Sequence, residues 1–346
     1  MKRIIFVFLC LLLAVSGFSQ INLQPAATVN LIRSEVITVG QLRTEVERME
    51  ASAGRRLTQA ERLQVLDVMI NERLVMQAAE RDRVTVTENE LNQQIAALRN
   101  NVSQQLGRAA TDAEYAQAVM NETGLDVTTF REQLRRQIIV QKYLQHSKGD
   151  LLNSVRVPTE QEIVAEFNIR RTQLIRPETI RFSMIQVPYG ADAASRARAR
   201  ELATRLFSEI SSNPSRFDEV AARSVQPNSG YQAGDAGYLP NNEEARSFVG
   251  QEFMNVAFSL QQGQVSRLIE GNAGFQIIKV TENYSVKLLE LDDLIQLGQR
   301  VTVREYIGQF LLSQRQNDIV TRASQELVAE LRANRTFQVF ENNLNW

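Results

Sequence analysis

Residues 217–280 include, in order, Phe217-Asp218-Glu219-Val220-Ala221, Gly234-Asp235-Ala236-Gly237-Tyr238, Phe253-Met254-Asn255-Val256-Ala257-Phe258-Ser259-Leu260, Gly263-Gln264-Val265-Ser266 and Gly274-Phe275-Gln276-Ile277-Ile278-Lys279-Val280. Around them, apolar periodicity predicts a strand at 179–188, helices at about 192–211 and 214–223, and closing strands at about 264–269 and 274–282. Pro227, Asn228, Gly230, Gly234 and Gly237 predict a loop between these elements. The region therefore mixes strands with helices.

Together these stretches resemble the parvulin-type (PpiC-like) peptidyl-prolyl isomerase domain. The opening strand of that family carries a His, and the matching stretch Ile180-Arg181-Phe182-Ser183-Met184-Ile185-Gln186-Val187 places Met184 there. The second family His falls at Gln276, and a third polar position, Cys or Asp in the family, falls at about Gln226. The resemblance implies an isomerase pocket in which all three polar positions have changed.

The same resemblance implies an apolar wall that binds proline, and the residues of this wall differ less from the family pattern than the polar positions do. Phe253 matches the family aromatic residue, and Val249, four residues earlier and expected on the same helical face, replaces a Met or Leu. Rotation about an X–Pro bond needs only an apolar cup and hydrogen bonds to the twisted amide, against a barrier of roughly 18–20 kcal/mol. Ser183 and Gln276 can donate such bonds, whereas Met184 can only pack. The expected substrate-binding residues are therefore Ser183, Val249 and Phe253.

The amino terminus has the pattern of an export signal. Lys2 and Arg3 precede an apolar run from Ile4 to Val15, and Gly17-Phe18-Ser19 offers small residues for cleavage, so residues 1–19 are predicted to be a signal peptide. The run is shorter than the roughly 20 residues of a spanning helix, although an uncleaved anchor is the alternative. Cys10, the one cysteine of the chain, lies inside the run and not at its end, which argues against lipidation.

Composition excludes several classes of function. Removing Lys2 and Arg3 from the 39 basic residues leaves 37 against 40 acidic residues, a net charge of −3, which is no nucleic-acid footprint. His146 is the only histidine and is expected at the surface near a helix end, so a His/Cys metal site and a Ser-His-Asp triad are excluded. We expect no cofactor and no metal.

Amphipathic helices dominate the rest of the chain. Helical spacing of Leu63, Leu66, Ile70 and Leu74 predicts a helix at about 59–81, the Thr87-x-x-Glu90 capping box begins a second, and a third is expected at about 127–145. The extended start at 27–32 and the order of these helices resemble the N-terminal region of SurA-like and PrsA-like chaperones. Pro158 opens another capped helix that Arg176-Pro177 should end, and helical patterning returns after Tyr284.

The predicted fold class is α+β, with a mostly helical, discontinuous chaperone domain and an inserted parvulin-like domain. The predicted bounds are 20–176 for the first part of the helical domain, 177–285 for the parvulin-like domain and 286–346 for a segment that completes the helical domain. In SurA-like proteins the C-terminal segment returns to the N-terminal helices in this way.

The predicted function is that of a periplasmic holdase. Its partners would be unfolded or proline-containing polypeptides, such as outer-membrane or secreted proteins, without nucleic acid and without a membrane span in the mature chain. The alternative is an active prolyl isomerase that uses Gln276, Ser183 and water. A third reading, an outer-membrane barrel ending in Asn345-Trp346, is disfavoured by the helical pattern.

Overall fold

The computed structural model describes residues 22–333 and 336–346. The predicted signal peptide at 1–19, including Cys10, lies outside the described residues. Two compact units are present: the first comprises the described residues up to Val155 together with Gln314–Trp346, and the second comprises Arg156–Ser313. Among the described helices, none has both the length and the hydropathy that crossing a membrane requires.

The first unit is built from helices around a small antiparallel sheet. The strands are β1 (Pro25–Asn30), β2 (Ser34–Thr38) and β9 (Phe337–Val339). They lie in the order β2-β1-β9, and the register pairs Ala27 with both Ile37 and Val339. The helices are α1 (Val39–Ala53), α2 (Gln59–Arg81), α3 (Glu88–Leu106), α4 (Asp112–Thr123), α5 (Val127–Leu152) and the end of α11 (Val303–Ala333).

Several helices of this unit begin at a local polar motif. Thr58 with Glu61, Thr87 with Glu90 and Thr111 with Glu114 form capping boxes, in which each side chain binds the other residue's backbone N–H. The predicted helix at 59–81 and the predicted start at Thr87 are confirmed, and α5 extends past the predicted end at 145. Leu66, Ile70 and Leu74 are buried, as the apolar spacing predicts, whereas Leu63, which belongs to the same spacing, is 41% exposed.

The second unit contains a four-stranded antiparallel sheet, whose strands lie in the order β5 (Gln232–Pro240), β4 (Thr179–Pro188), β7 (Gly274–Tyr284) and β6 (Ile269–Glu270). Apolar clusters lie on both faces, one including Phe217 and Phe275, the other Phe182 and Phe253. The other strands are β3 (Ile175–Arg176) and β8 (Lys287–Leu288), and the helices are α6 (Glu160–Arg170), α7 (Ala193–Ser212), α8 (Phe217–Ala222), α9 (Glu243–Val249), α10 (Gln251–Ser259) and the start of α11. The predicted α+β class, mostly helical, is confirmed.

Two local predictions for the second unit are wrong. The loop predicted through Gly234 and Gly237 is strand β5 from Gln232 onward, because pairing with β4 supplies its backbone hydrogen bonds and Gly237, at φ +81°, absorbs an irregularity in that pairing. The closing strand predicted at 264–269 shrinks to Ile269–Glu270, with an isolated bridge from Val265 to Lys279 before it.

A separate apolar cluster surrounds the start of α11. It contains Phe167, Leu174, Leu289, Val303 and Ile307, and every member lies either before residue 177 or after residue 285. Between its two halves, β3 pairs with β8 through Ile175–Leu288 and Arg176–Lys287. Helix α6 ends at Arg170, six residues before the predicted stop at Arg176, because a 3₁₀ turn at Arg171–Gln173 leads into β3.

Candidate functional site

Cross-strand pairing arranges the predicted site residues in rows across one face of the sheet. Directly paired residues of antiparallel strands point to the same face. The register gives three successive rows on the face that packs against α9 and α10: Gly237–Phe182–Val280, Gly234–Met184–Ile278 and Gln232–Gln186–Gln276. Because Ile278 and Val280 belong to the same apolar cluster as Phe253 of α10, this is the face of the sheet that packs against α9 and α10.

The apolar end of this face, called the cup from here on, contains Phe182, Met184, Val249 and Phe253. The rings of Phe182 and Phe253 meet edge to face, with centroids 5.7 Å apart and an interplanar angle of 64°. Phe253 is buried, while Met184 and Val249 are partly buried against the same cluster. The structure therefore brings Met184, Val249 and Phe253 together.

The prediction that Val249 and Phe253 share one helical face is wrong. Helix α9 ends at Val249, and α10 begins at Gln251 after Gly250, whose φ of +89° is in the region that favours glycine. The two residues are thus not neighbours on one helical face. They meet because both short helices pack their apolar sides against the same cluster over the sheet.

Gln276 lies one row away from Met184. Because Met184 pairs with Ile278, Gln276 is its diagonal neighbour on β7, a relation that puts Cα atoms about 7–8 Å apart. The amide oxygen of Gln276 lies over the turn between β6 and β7, where a Cβ atom at Gly271 would come within 2.8 Å of it. The two positions that the resemblance aligns with the family histidines therefore share one face of the sheet.

Ser183 is not part of this group. It pairs with Lys279 on β7 and Asp235 on β5, so its side chain points to the opposite face, with Ile185 and Ile277. There Lys279 Nζ lies 2.7 Å from Asp218 Oδ2. The prediction of Ser183 as a donor to a prolyl amide is wrong, because strand alternation turns it away from the cup.

Gln226 lies in the loop between α8 and β5. Its backbone N–H donates to the carbonyl oxygen of Arg223 at 3.1 Å, its carbonyl accepts from Ser229 at 3.2 Å, and its side chain is exposed. The loop is tied down by Ser229 Oγ, which donates to Ser224 O at 2.9 Å. These contacts hold Gln226 in the loop and do not join it to Met184 or Gln276.

Sequence reasoning missed two residues of the site face, Gln186 and Gln232. Both follow from period-two alternation, because Gln186 is two residues beyond Met184 and pairs with both Gln276 and Gln232. Gln186 could have been found from the strand pattern alone. Gln232 could not, because the glycines around it favour a loop in the absence of its partner strand.

Charges cluster at the other end of β4. Arg181 donates to Asp235 Oδ2 at 2.6 Å and to Glu282 Oε1 at 3.0 Å, and so connects β5, β4 and β7. The guanidinium lowers the pKa of Asp235. Hydrogen bonding to Glu282 raises the pKa of Tyr284 to about 12. The rows of Met184 and Gln186 contain no ionisable side chain, so this face offers packing and neutral hydrogen bonds.

Comparison with protein-family models identifies both parts of the chain. Residues 180–282 match the PPIC-type PPIase domain, and residues 1–144 match the SurA-like N-terminal domain. The chain therefore combines a SurA-like N-terminal domain with a domain of the PPIC-type peptidyl-prolyl isomerase family.

Curated proteins that are similar in sequence include SurA and PrsA proteins. Chaperone SurA of Alcanivorax borkumensis is 30% identical over 228 residues, covering 64% of this chain and 47% of that protein. Chaperone SurA of Saccharophagus degradans is 26% identical over 74% of this chain and 57% of that protein. Foldase protein PrsA of Clostridium botulinum is 23% identical over 88% of this chain and 81% of that protein. The chain spans about half the length of these SurA proteins.

A solved chain is also similar. It comes from the work on PEB4 and Cj1289 of Campylobacter jejuni, described as two structurally related SurA-like chaperones. It is 11% identical, covers 91% of this chain and 99% of its own length, and has a TM-score of 0.40.

Proposed function

We propose that the protein is an exported holdase that shields unfolded segments of envelope proteins, and that its parvulin-like domain binds proline-containing segments with little or no turnover. One observation carries the proposal. An open groove of about 1020 Å³ lies between α1, α2 and α5 of the first unit and exposes apolar side chains along its length. No nucleotide-binding motif is present in the sequence, so binding would be passive.

The chemistry of this groove suits an unfolded chain. Val68 and Met49 are 65% and 45% exposed and lie on α2 and α1, where they provide apolar contact without a closed pocket. Large exposed apolar surface on a soluble protein marks an interaction site. Arg48, Glu72 and Arg136 lie among the lining residues, so both signs of charge are available to polar parts of a client.

A second groove of the same unit has a different lining. It has a volume of about 690 Å³ and contains Ile138 and Val320 together with five glutamines, namely Gln93, Gln94, Gln141, Gln145 and Gln316. Glutamine amides both donate and accept hydrogen bonds and carry no charge. The glutamines support binding of main-chain groups, and the ion pair of Glu90 and Lys142 adds charge to the same lining.

We propose the bounds 177–285 for the parvulin-like domain, inserted into a helical domain that residues 286–346 complete. Support comes from the pairing of Arg176 with Lys287, which puts the two ends of the insertion side by side. The cluster around Phe167 and Ile307 also uses only residues outside the insertion. Strand β9, near the end of the chain, pairs with β1 near its start.

The active isomerase is the second candidate, and the intact cup of Phe182 and Phe253 favours it. Met184 argues against it, because a thioether cannot donate a hydrogen bond to a twisted amide as an imidazole does. A cup that holds ground state and transition state equally well binds prolyl peptides without accelerating their isomerisation. A protease-coupled assay of the full chain separates the two candidates.

The periplasm is the proposed location. Support comes from the signal-like residues 1–19 and from the described helices, none of which could cross a membrane. Mass spectrometry of the chain purified from its native cell tests cleavage near Ser19. Retention of residues 1–19 would contradict cleavage, and an added lipid mass on Cys10 would contradict the dismissal of lipidation.

The groove is tested by removing its exposed apolar side chains. Met49→Ser with Val68→Ser should weaken protection of an unfolded outer-membrane protein from aggregation by about tenfold in the chaperone concentration required, because two apolar contacts are lost. Val36→Ser is the matched control, since Val36 is 50% exposed in the same unit but does not line the groove. Equal protection by the double variant and the wild type would contradict the proposal.

The insertion is tested by deletion. A chain that joins residues 20–176 to 286–346 should fold and still delay aggregation, because the groove and the Phe167 cluster are retained. If that chain folds but protects nothing while the isolated 177–285 fragment protects fully, then client binding belongs to the parvulin-like domain.

A further inference from the structure

The glutamine row of the parvulin-like domain consists of Gln232, Gln186 and Gln276, which pair across β5, β4 and β7. Gln232 is exposed, and Gln186 and Gln276 are half-buried. Within the described part of the chain, none of the three side-chain amides forms a hydrogen bond with another residue. No described residue therefore satisfies the donors and acceptors of these three amides, and the amide of Gln276 lies beside Gly271 in the turn between β6 and β7.

A contrast within the molecule shows what a purely structural glutamine does. Gln77 is fully buried, and its amide oxygen accepts from the backbone N–H groups of Leu31 and Ile32 at 3.0 Å each. That side chain satisfies a turn of its own fold. The glutamine row satisfies nothing in its own fold, which points to a ligand or to water as its partner.

We propose that the glutamine row binds the main chain of an extended client segment whose prolyl ring lies in the cup beside Met184 and Phe253. This inference rests on the proposed binding function of the cup and names how the segment is held. The amides would donate to carbonyl oxygens and accept from N–H groups of the residues next to proline.

The dimensions of the row agree with such a ligand. Neighbouring strands lie about 4.8 Å apart, so the side chains on either side of Gln186 are within reach of one extended segment that crosses the row over Gln186. The row is one step from Met184, so a segment with its proline in the cup would continue directly over Gln186. Gly234, which pairs with Met184, leaves space beside the methionine for the ring.

The chemistry favours main-chain groups over charged ones. Neither the row of Met184 nor the glutamine row contains an ionisable side chain, so the site offers no countercharge for a carboxylate or a phosphate. Proline itself has no N–H, so the hydrogen bonds of a prolyl segment must come from its carbonyl and from its neighbours. Amides that both donate and accept can serve either group, whatever the side chains of the client.

The test measures affinity with two probe peptides on the full mature chain. One is a short fluorescent Ala-Ala-Pro-Phe-type peptide, and the other is the same peptide with N-methyl groups on the amides that flank proline. Gln186→Met with Gln276→Met removes both amides while keeping side-chain length. We expect this double variant to bind the ordinary peptide about tenfold more weakly, the combined effect of two typical hydrogen bonds. Gln161→Met, at an exposed position of α6, should bind like the wild type.

The N-methyl probe distinguishes main-chain binding from general packing. The wild type should bind it more weakly than the ordinary peptide, whereas the double variant should bind the two alike, because the affected hydrogen bonds are already gone. Unchanged affinity of the double variant for the ordinary peptide would overturn the inference while leaving the cup in place. The inference would also be overturned if the double variant lost affinity for the ordinary peptide and for the N-methyl peptide by the same factor. Absence of any binding by the wild type would overturn the proposed function of the cup as well.

Discussion

The helix starts of the first unit and the sheet of the second unit depend on different polar contacts. The helix starts use local contacts, since Thr58, Thr87 and Thr111 each begin a helix with a glutamate three residues later. In the sheet of the second unit they join distant parts of the sequence: Arg181 reaches Asp235 and Glu282, and Gln186 pairs with Gln232 and Gln276. Local motifs determine where elements start, whereas register determines which side chains share a face.

This difference has a functional consequence. A helical unit whose ends are capped locally can expose apolar residues such as Met49 and Val68 without losing its helices. The sheet instead makes a small site from single residues on separate strands, and one substitution there changes the chemistry. A substitution at Met184 or Gln276 can therefore change the polar chemistry of this face while leaving the apolar cluster around Phe253 in place.

The largest expected effect is on the core of the sheet domain. Phe217→Ala should lower the free energy of unfolding of the second unit by about 3–5 kcal/mol, because the fully buried ring leaves a cavity beside Phe275. Hydrogen exchange should show faster opening of β4 and β7. Phe248→Ala is the matched control, because Phe248 is 87% exposed and its loss should cost within about 0.5 kcal/mol. Similar costs for the two phenylalanines would contradict the assignment of the core.

The sequence determined the helical unit more completely than the sheet site, for physical reasons. Thr87 and Glu90 predict the start of α3 from four residues, and in α2 the apolar spacing of Leu66 and Ile70 predicts how the helix continues. Helices α1 and α4 were nevertheless not predicted, although Thr38 and Thr111 begin them with the same motif.

The sheet site depends on pairings between residues up to about a hundred positions apart. Met184 and Gln276 could be placed only through the resemblance to a known domain. Strand alternation places Ser183 and Met184 on opposite faces, so the prediction that Ser183 contacts the prolyl segment is wrong. Val249 lies against the same apolar cluster as Phe253 but does not share a helical face with it, since the break at Gly250 is visible only in the folded chain.

An intermediate effect is expected from restoring the histidines. Met184→His with Gln276→His should raise kcat/KM for prolyl isomerisation at least tenfold, and each tenfold gain corresponds to about 1.36 kcal/mol of transition-state stabilisation. The two positions share a face, so both imidazoles could reach one prolyl amide. Exchange NMR or a protease-coupled assay measures the change, with Gln161→His as the control. Wild-type activity equal to that of an ordinary parvulin, and unchanged in the double variant, would favour the active isomerase.

The smallest expected effect concerns acid stability of the first unit, where Glu90 joins the local and the distant kinds of contact. Its carboxylate accepts from Lys142 Nζ and from the backbone of Thr87, at 2.7 and 2.8 Å. The pKa of Glu90 is lowered from 4.5 to about 2, mainly by the hydrogen bond from Lys142 and next by the hydrogen bonds from Thr87. Because the folded-state pKa is the lower one, the stabilisation is complete above about pH 4.5 and is lost as the pH falls toward 2.

Glu90→Gln keeps the capping box, which accepts Glu or Gln, and removes only the charge. The variant should therefore melt slightly below the wild type at pH 7, by on the order of 1–2 °C for an exposed ion pair, and the two melting temperatures should converge as the pH falls through 4 toward 2. Glu47→Gln, at an exposed position of α1, is the control and should show no such convergence. A difference that persists unchanged at pH 2 would mean that the cap geometry, and not the charge of Glu90, stabilises the start of α3.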